Sequence, residues 1–121
     1  MLNKPKYTLL KNTRYALNGL IEVIRNESSF QLQLLLFTVM NIVAWSLPIA
    51  IIYSAVLSVA LFVPLLAELA NSAVERVVDL VTMEYHELAK RAKDAGAALV
   101  FISLVMMVTI WVYTLFIAFT N

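Results

Sequence analysis

From Phe30 to Ala67 the chain carries no charged side chain. That stretch, more than any motif, limits what the chain can fold into. A helix needs about 20 apolar residues to cross the hydrocarbon core of a bilayer, so the stretch is long enough for two crossings. Pro48 stands near its middle, where a turn has to fall, because proline breaks a helix that runs through it. A second charge-free stretch, 95–119, is long enough for a third crossing. Composition agrees: of 121 residues, 62% are hydrophobic and 14% charged, against about 45–50% and about 25% in a soluble domain. So short a chain exposes a large share of its surface however it folds. The apolar excess must therefore face lipid. The predicted fold is an all-α membrane protein with crossings over about 31–47, 50–82 and 95–119 and a tight turn around Ser46 to Pro48. Pro64 lies inside the second crossing and is expected to kink it.

Residues 1–29 are polar, with charges at Lys4, Lys6, Lys11, Arg14, Glu22, Arg25 and Glu27. Leu10, Leu17, Leu20, Ile21 and Ile24 recur among them at mostly three- and four-residue spacings, the mark of an amphipathic helix. Beside a membrane protein such a helix lies in the interface plane; packing on a soluble partner is the alternative. The chain thus reads as a surface-helix arm over 1–29 and a three-crossing unit over 30–121. The basic residues at the start are followed by no short apolar stretch with a small-residue cleavage site, so no signal peptide is expected. Lys and Arg occur only in 4–25 and 76–93. By the positive-inside rule the N-terminal helix and the polar loop at Glu84, Tyr85, His86 and Glu87 are cytoplasmic, and with three crossings the C-terminus lies outside.

The stretch from Glu68 to Asp79 carries the chemistry. A helix turns about 100° per residue, so offsets of 0, 3, 7 and 11 leave Glu68, Asn71, Glu75 and Asp79 in one stripe. Ionisable groups at membrane depth are functional-site candidates by default; a simply wet helix end is the other reading. Carboxylates with an amide suit Mg²⁺, which takes oxygen ligands and phosphate oxygens. Lys90, Arg91, Lys93 and Asp94 follow, and cations beside acids fit a metal-bound polyphosphate. Orientation and anionic lipid select the same basic run. His86, the only histidine, reads as a surface or capping group. With glycine only at 19 and 96 there is no Walker loop and no glycine-rich kinase loop. With no cysteine, disulfides and thiolate catalysis are excluded.

The run Ala67 to Asp79, with Glu84-Tyr85-His86-Glu87-Leu88 through Lys93-Asp94-Ala95-Gly96 and the upstream Gly19-Leu20 and Asn26-Glu27, resembles the signature of prokaryotic diacylglycerol kinases over nearly the whole chain. Departures fall at Thr8, Ile24 and Pro64. The resemblance implies a homotrimer with sites shared between subunits at the cytoplasmic face of the cell inner membrane. Its substrates would be ATP and the lipid diacylglycerol, with Mg²⁺ as cofactor, phosphatidic acid as product and no nucleic-acid partner. Glu68 matches the catalytic base. Glu27 and Glu75 match the residues that hold Mg²⁺ and nucleotide. Tyr15, Glu84, His86, Lys93 and Asp94 match positions at the nucleotide, and Asn71 and Asp79 are supporting polar groups.

Two other readings compete. An undecaprenol kinase of the same superfamily would run the same chemistry on another alcohol; Tyr85 and Glu87 lean toward diacylglycerol. A small oligomeric ion pathway or accessory subunit would use Glu68 and Glu75 as ion sites.

Overall fold

A computed structural model describes residues 8–121. They form α1 (Leu9–Asn26), α2 (Ser28–Ser46), α3 (Ile51–Ala60), α4 (Phe62–Val81) and α5 (Glu87–Thr120). Lys4 and Lys6, part of the expected orientation signal, lie outside the described residues. Helix α1 starts where Thr8, in extended conformation, caps it by accepting from the Lys11 N–H at 3.2 Å. It stops at Asn26. The single extended residue Glu27 (φ −113°, ψ 106°) separates it from α2, and Gln31 ties the joint by donating to the Ile24 carbonyl at 2.8 Å. The stripe expected to meet a membrane surface is left open: Leu10, Leu17, Leu20 and Ile21 are exposed, while the residue α1 buries is Val23.

Three stretches are long and apolar enough to cross a membrane: Ser28–Ser46, Ile51–Val81 and Glu87–Thr120. Leu47, just before Pro48, is extended (φ −72°, ψ 144°), as the proline ring requires of its predecessor, and the chain turns there. The second stretch breaks at Leu61, one turn before Pro64. Pro64 has no N–H for the Ala60 carbonyl and its ring crowds that turn. The Leu61 N–H bonds to the Ser58 carbonyl, at 3.2 Å, instead of continuing the ladder to Leu57. In lipid a freed carbonyl needs another donor, and Trp111 of α5 supplies it, its Nε1–H reaching the Leu57 carbonyl at 3.1 Å. Ala44, Leu57, Ala60, Leu61 and Trp111 form the buried core around that bond. Leu32, Leu35, Ile42, Phe101, Val112 and Phe116 point outward, a surface only lipid or another chain can cover.

Two helices extend beyond the expected crossings. Helix α2 begins at Ser28, ahead of the expected span from about 31, since Glu27 alone breaks the chain. Helix α5 begins at Glu87, ahead of the expected span from 95. The absence of charge marks where hydrocarbon begins, whereas α5 starts earlier, capped by His86 and carried outward by the exposed pairs Glu87–Arg91 and Lys90–Asp94.

Candidate active site at the charged end of the bundle

Helix α4 runs from the apolar core into the charged end, and its polar stripe records the passage. Glu68 is 6% exposed and Asn71 8%, whereas Glu75 and Asp79 are only half-buried. The stripe is thus dry at one end and wet at the other. Ser29, in the first turn of α2, donates its hydroxyl to Glu68 Oε1 at 2.8 Å. Asn71 donates its amide to Glu75 Oε1 at 3.1 Å. The Asn71 carbonyl oxygen is buried without a partner, against Gly96 of α5. A methyl group on Gly96 would collide with that oxygen and stand 3.3 Å from Asn71 Cγ. Any larger residue at 96 would need Asn71 to turn away or α5 to shift.

The remaining expected residues gather in two places. Asp79 takes Lys93 of α5 at 2.8 Å, and Asp94 pairs with Lys90 at 2.7 Å. Glu84, His86, Lys93 and Asp94 line one open cavity of about 310 Å³ between the ends of α4 and α5, with Tyr85 and Lys90 on its wall. His86 caps α5 there, its Nδ1 accepting the Leu88 N–H at 3.1 Å. Glu27 is held from α4 by Arg76, whose Nη2 lies 3.0 Å from Glu27 Oε1; Arg76 also pairs with Glu22. Tyr15 is half-exposed on α1, and among the described residues no hydrogen bond joins it to the others. Glu68 does not line the cavity.

Ser29, Arg76 and Gly96 escaped the sequence reading as functional residues. No local signal marks Ser29. Arg76 showed only as one of several cations, because its partners lie 49 and 54 residues away. Gly96 could have been suspected, as one of two glycines and the one inside a helix that meets the polar stripe.

The donors along the stripe are carboxylate and amide oxygens, hard ligands of the kind Mg²⁺ takes, and one buried amide oxygen still lacks a partner. Among the described residues no three His, Asp or Glu side chains converge to hold an ion by themselves. One or two carboxylates completed by phosphate oxygens is the usual arrangement for Mg²⁺ beside a nucleotide. The residues fit that arrangement and not a closed protein cage.

Fold and site define a small multi-span membrane protein with a polar centre where its second span leaves the apolar core. The family model described as prokaryotic diacylglycerol kinase matches residues 14–115. The chain is similar to the diacylglycerol kinases of Pseudomonas aeruginosa and Haemophilus influenzae, each 36% identical over 103 residues. Those residues are 85% of this chain and 84% and 87% of the two relatives. The diacylglycerol kinase of Escherichia coli is 33% identical over the same length, 84% of that protein. The chain belongs to the prokaryotic diacylglycerol kinase family, and is a membrane enzyme of the transferase class, a lipid kinase.

Proposed function

We propose that the protein transfers the terminal phosphoryl group of ATP to the primary hydroxyl of diacylglycerol, giving phosphatidic acid and ADP, at the cytoplasmic face of the cell inner membrane. The observation that carries the reading is Glu68: a buried carboxylate just past the charge-free stretch, oriented by Ser29. A base at that depth meets the hydroxyl of a lipid still lying in its leaflet. Glu68 takes the hydroxyl proton as the new oxygen–phosphorus bond forms and the bond to ADP breaks. Phosphoryl transfer asks the protein mainly to position the reactants and neutralise charge. Glu27 and Glu75 would hold Mg²⁺, which supplies that neutralisation at the phosphate oxygens. Lys93, Asp94, Glu84 and His86 line the wall along which the nucleotide lies, and Tyr15 of α1 would contact it in the assembled site. Asn71 and Asp79 fix the stripe, Asn71 through Glu75 and Asp79 through Lys93.

A homotrimer with sites shared between chains completes the centre. In support, Leu80, Val81, Met83 and Leu88 stand exposed around the site in a single chain. The distribution of Lys and Arg along the sequence supports an N-terminus in the cytoplasm and a C-terminus outside. The test is purified protein in mixed micelles with labelled ATP, offered diacylglycerol or undecaprenol, with and without a chelator. Label is expected on diacylglycerol and lost on chelation. Label on undecaprenol alone would reassign the acceptor, and activity surviving full chelation would remove the metal.

A further inference from the structure

Arg76 has no part in the chemistry above, yet its guanidinium makes more hydrogen bonds than any other side chain among the described residues. From α4 it donates to Glu22 of α1 through Nη1. It reaches Glu27 Oε1 through Nη2 at 3.0 Å and through Nε at 3.3 Å. Among the described residues no other ion pair joins α1 or its joint to the rest of the chain.

Apart from Gln31 and the backbone bonds at Glu27, little else holds that joint. Helix α1 buries only Val23. Between α1 and α4 lies a cavity of about 320 Å³ lined by small side chains, Ala16, Gly19 and Ala73, together with Leu69 and Arg76. The two helices stand apart there, and Arg76 bridges the gap. Glu27 is the lone extended residue between α1 and α2, so helix geometry does not settle where its carboxylate points. The side chain that binds it does. Exposed ion pairs add little to stability, and Arg76 and Glu22 are both near half-exposed. The effect of the clamp therefore lies in direction and charge. A planar guanidinium with several fixed donors aims a carboxylate as a lysine cannot. It also offsets the repulsion between Glu22 and Glu27.

The geometry points to Arg76 as a positioning residue: by clamping Glu27 beside the turn of α4 that carries Glu75, it sets the affinity for the metal-bound nucleotide without touching it. This rests on the reading of Glu27 and Glu75 as the Mg²⁺ and nucleotide residues. The experiment uses the full chain in micelles, as parent, Arg76→Ala, Arg76→Lys, Glu22→Gln and Glu27→Gln. Mn²⁺ binding with ATP is followed by electron paramagnetic resonance, and initial rates are followed against Mg·ATP and against lipid. For Arg76→Ala the Mn²⁺ dissociation constant and the apparent Mg·ATP constant rise about tenfold, the range expected for lost hydrogen bonds to a charged group. The maximal rate stays within about threefold and the lipid constant does not move. Arg76→Lys recovers part of the loss, because charge remains and the fork does not. Glu22→Gln keeps both bonds to Glu27 and stays within about twofold of the parent.

A fall in maximal rate with unchanged constants would overturn the proposal, as would an Arg76→Ala indistinguishable from the parent. So would a lowered constant, which would mean that Arg76 masks Glu27. If Arg76→Ala does not fold, Arg76→Lys carries the same split between constant and rate. Metal binding untouched by Glu27→Gln would instead sink the underlying assignment. Binding weakened by Glu27→Gln but not by either Arg76 variant sinks the clamp alone.

Discussion

The two ends of the bundle are held together by different physics. Where α2, α3 and α5 meet, the buried apolar side chains are Ala44, Leu57, Ala60, Leu61 and Trp111, with an indole hydrogen bond closing a break in the backbone ladder and Ser58 of α3 donating to Asn41 of α2. Where α1, α4 and the start of α5 meet, the buried groups include Glu68, Asn71, Ser72 and Gly96 beside Ala67, with Val23 as the one buried apolar side chain of α1. Ion pairs cross between elements there: Arg76 to Glu22 and Glu27, and Lys93 to Asp79. Surface pairs of this kind contribute little to stability. The charged end is thus ordered by direction-specific contacts, and the apolar end carries the fold. Substitutions at the two ends should separate activity from stability.

The largest effect is expected at Glu68. Glu68→Gln keeps the shape, and its amide oxygen can still accept from Ser29. The variant should fold and bind nucleotide like the parent while losing the proposed base. A positioned base contributes about 10²–10⁴-fold, so turnover retained above about a tenth of the parental value would remove Glu68 from that role. Binding and turnover need to be measured on the same preparation.

Gly96→Ala comes next and tests the seam between the two ends. The new methyl group overlaps the Asn71 amide oxygen, so α5 must move or Asn71 must turn away from Glu75. Overpacking of this kind costs about 1–3 kcal/mol. The unfolding midpoint should drop and turnover should fall with it; an unchanged midpoint would show that the helices separate freely.

Trp111→Phe breaks the apolar end alone. It leaves the Leu57 carbonyl without its donor inside the bundle, a loss of about 1–3 kcal/mol, toward the lower end because a ring still fills the space. The folded fraction should keep the parental Mg·ATP constant. A shifted constant would mean that the two ends are coupled after all.

How far the sequence carried the structure follows the same division. The charge-free stretches, Pro48 and Pro64 foretold the crossings, the turn and the broken second span, because in lipid each depends on local hydropathy or on one ring. The stripe from Glu68 to Asp79 was legible because its residues share one helix. What stayed hidden depends on which helices become neighbours. Arg76 meets Glu22 and Glu27 only after the chain has crossed and returned, and nothing around Ser29 marks it as a partner of Glu68. The first turns of α5 were hidden for another reason: the charges between Glu87 and Asp94 end a hydrocarbon span but not a helix. Val23 was passed over because it lies off the leucine stripe, and the structure buries it while leaving the stripe open.

The smallest effect is expected at Lys90, and it sharpens the comparison by testing a pair of the wrong kind. Lys90 Nζ lies 2.7 Å from Asp94 Oδ2, closer than Lys93 lies to Asp79. By distance alone it would rank as the stronger bond. But Lys90 and Asp94 belong to one helix, one turn apart, with side chains 55% and 63% exposed, so the pair fixes no element against another. Such pairs contribute about 0.3–0.5 kcal/mol. Lys90→Ala should therefore leave the unfolding midpoint nearly in place, and added salt should erase what difference there is. Lys90 also lines the cavity shared by Lys93 and Asp94, which gives the same variant a second reading. Without a direct contact to the nucleotide, the apparent Mg·ATP constant should stay within about twofold of the parent. If it rises further while the midpoint holds, Lys90 binds phosphate, and the candidate site extends one turn farther along α5 than the polar stripe and its partners define.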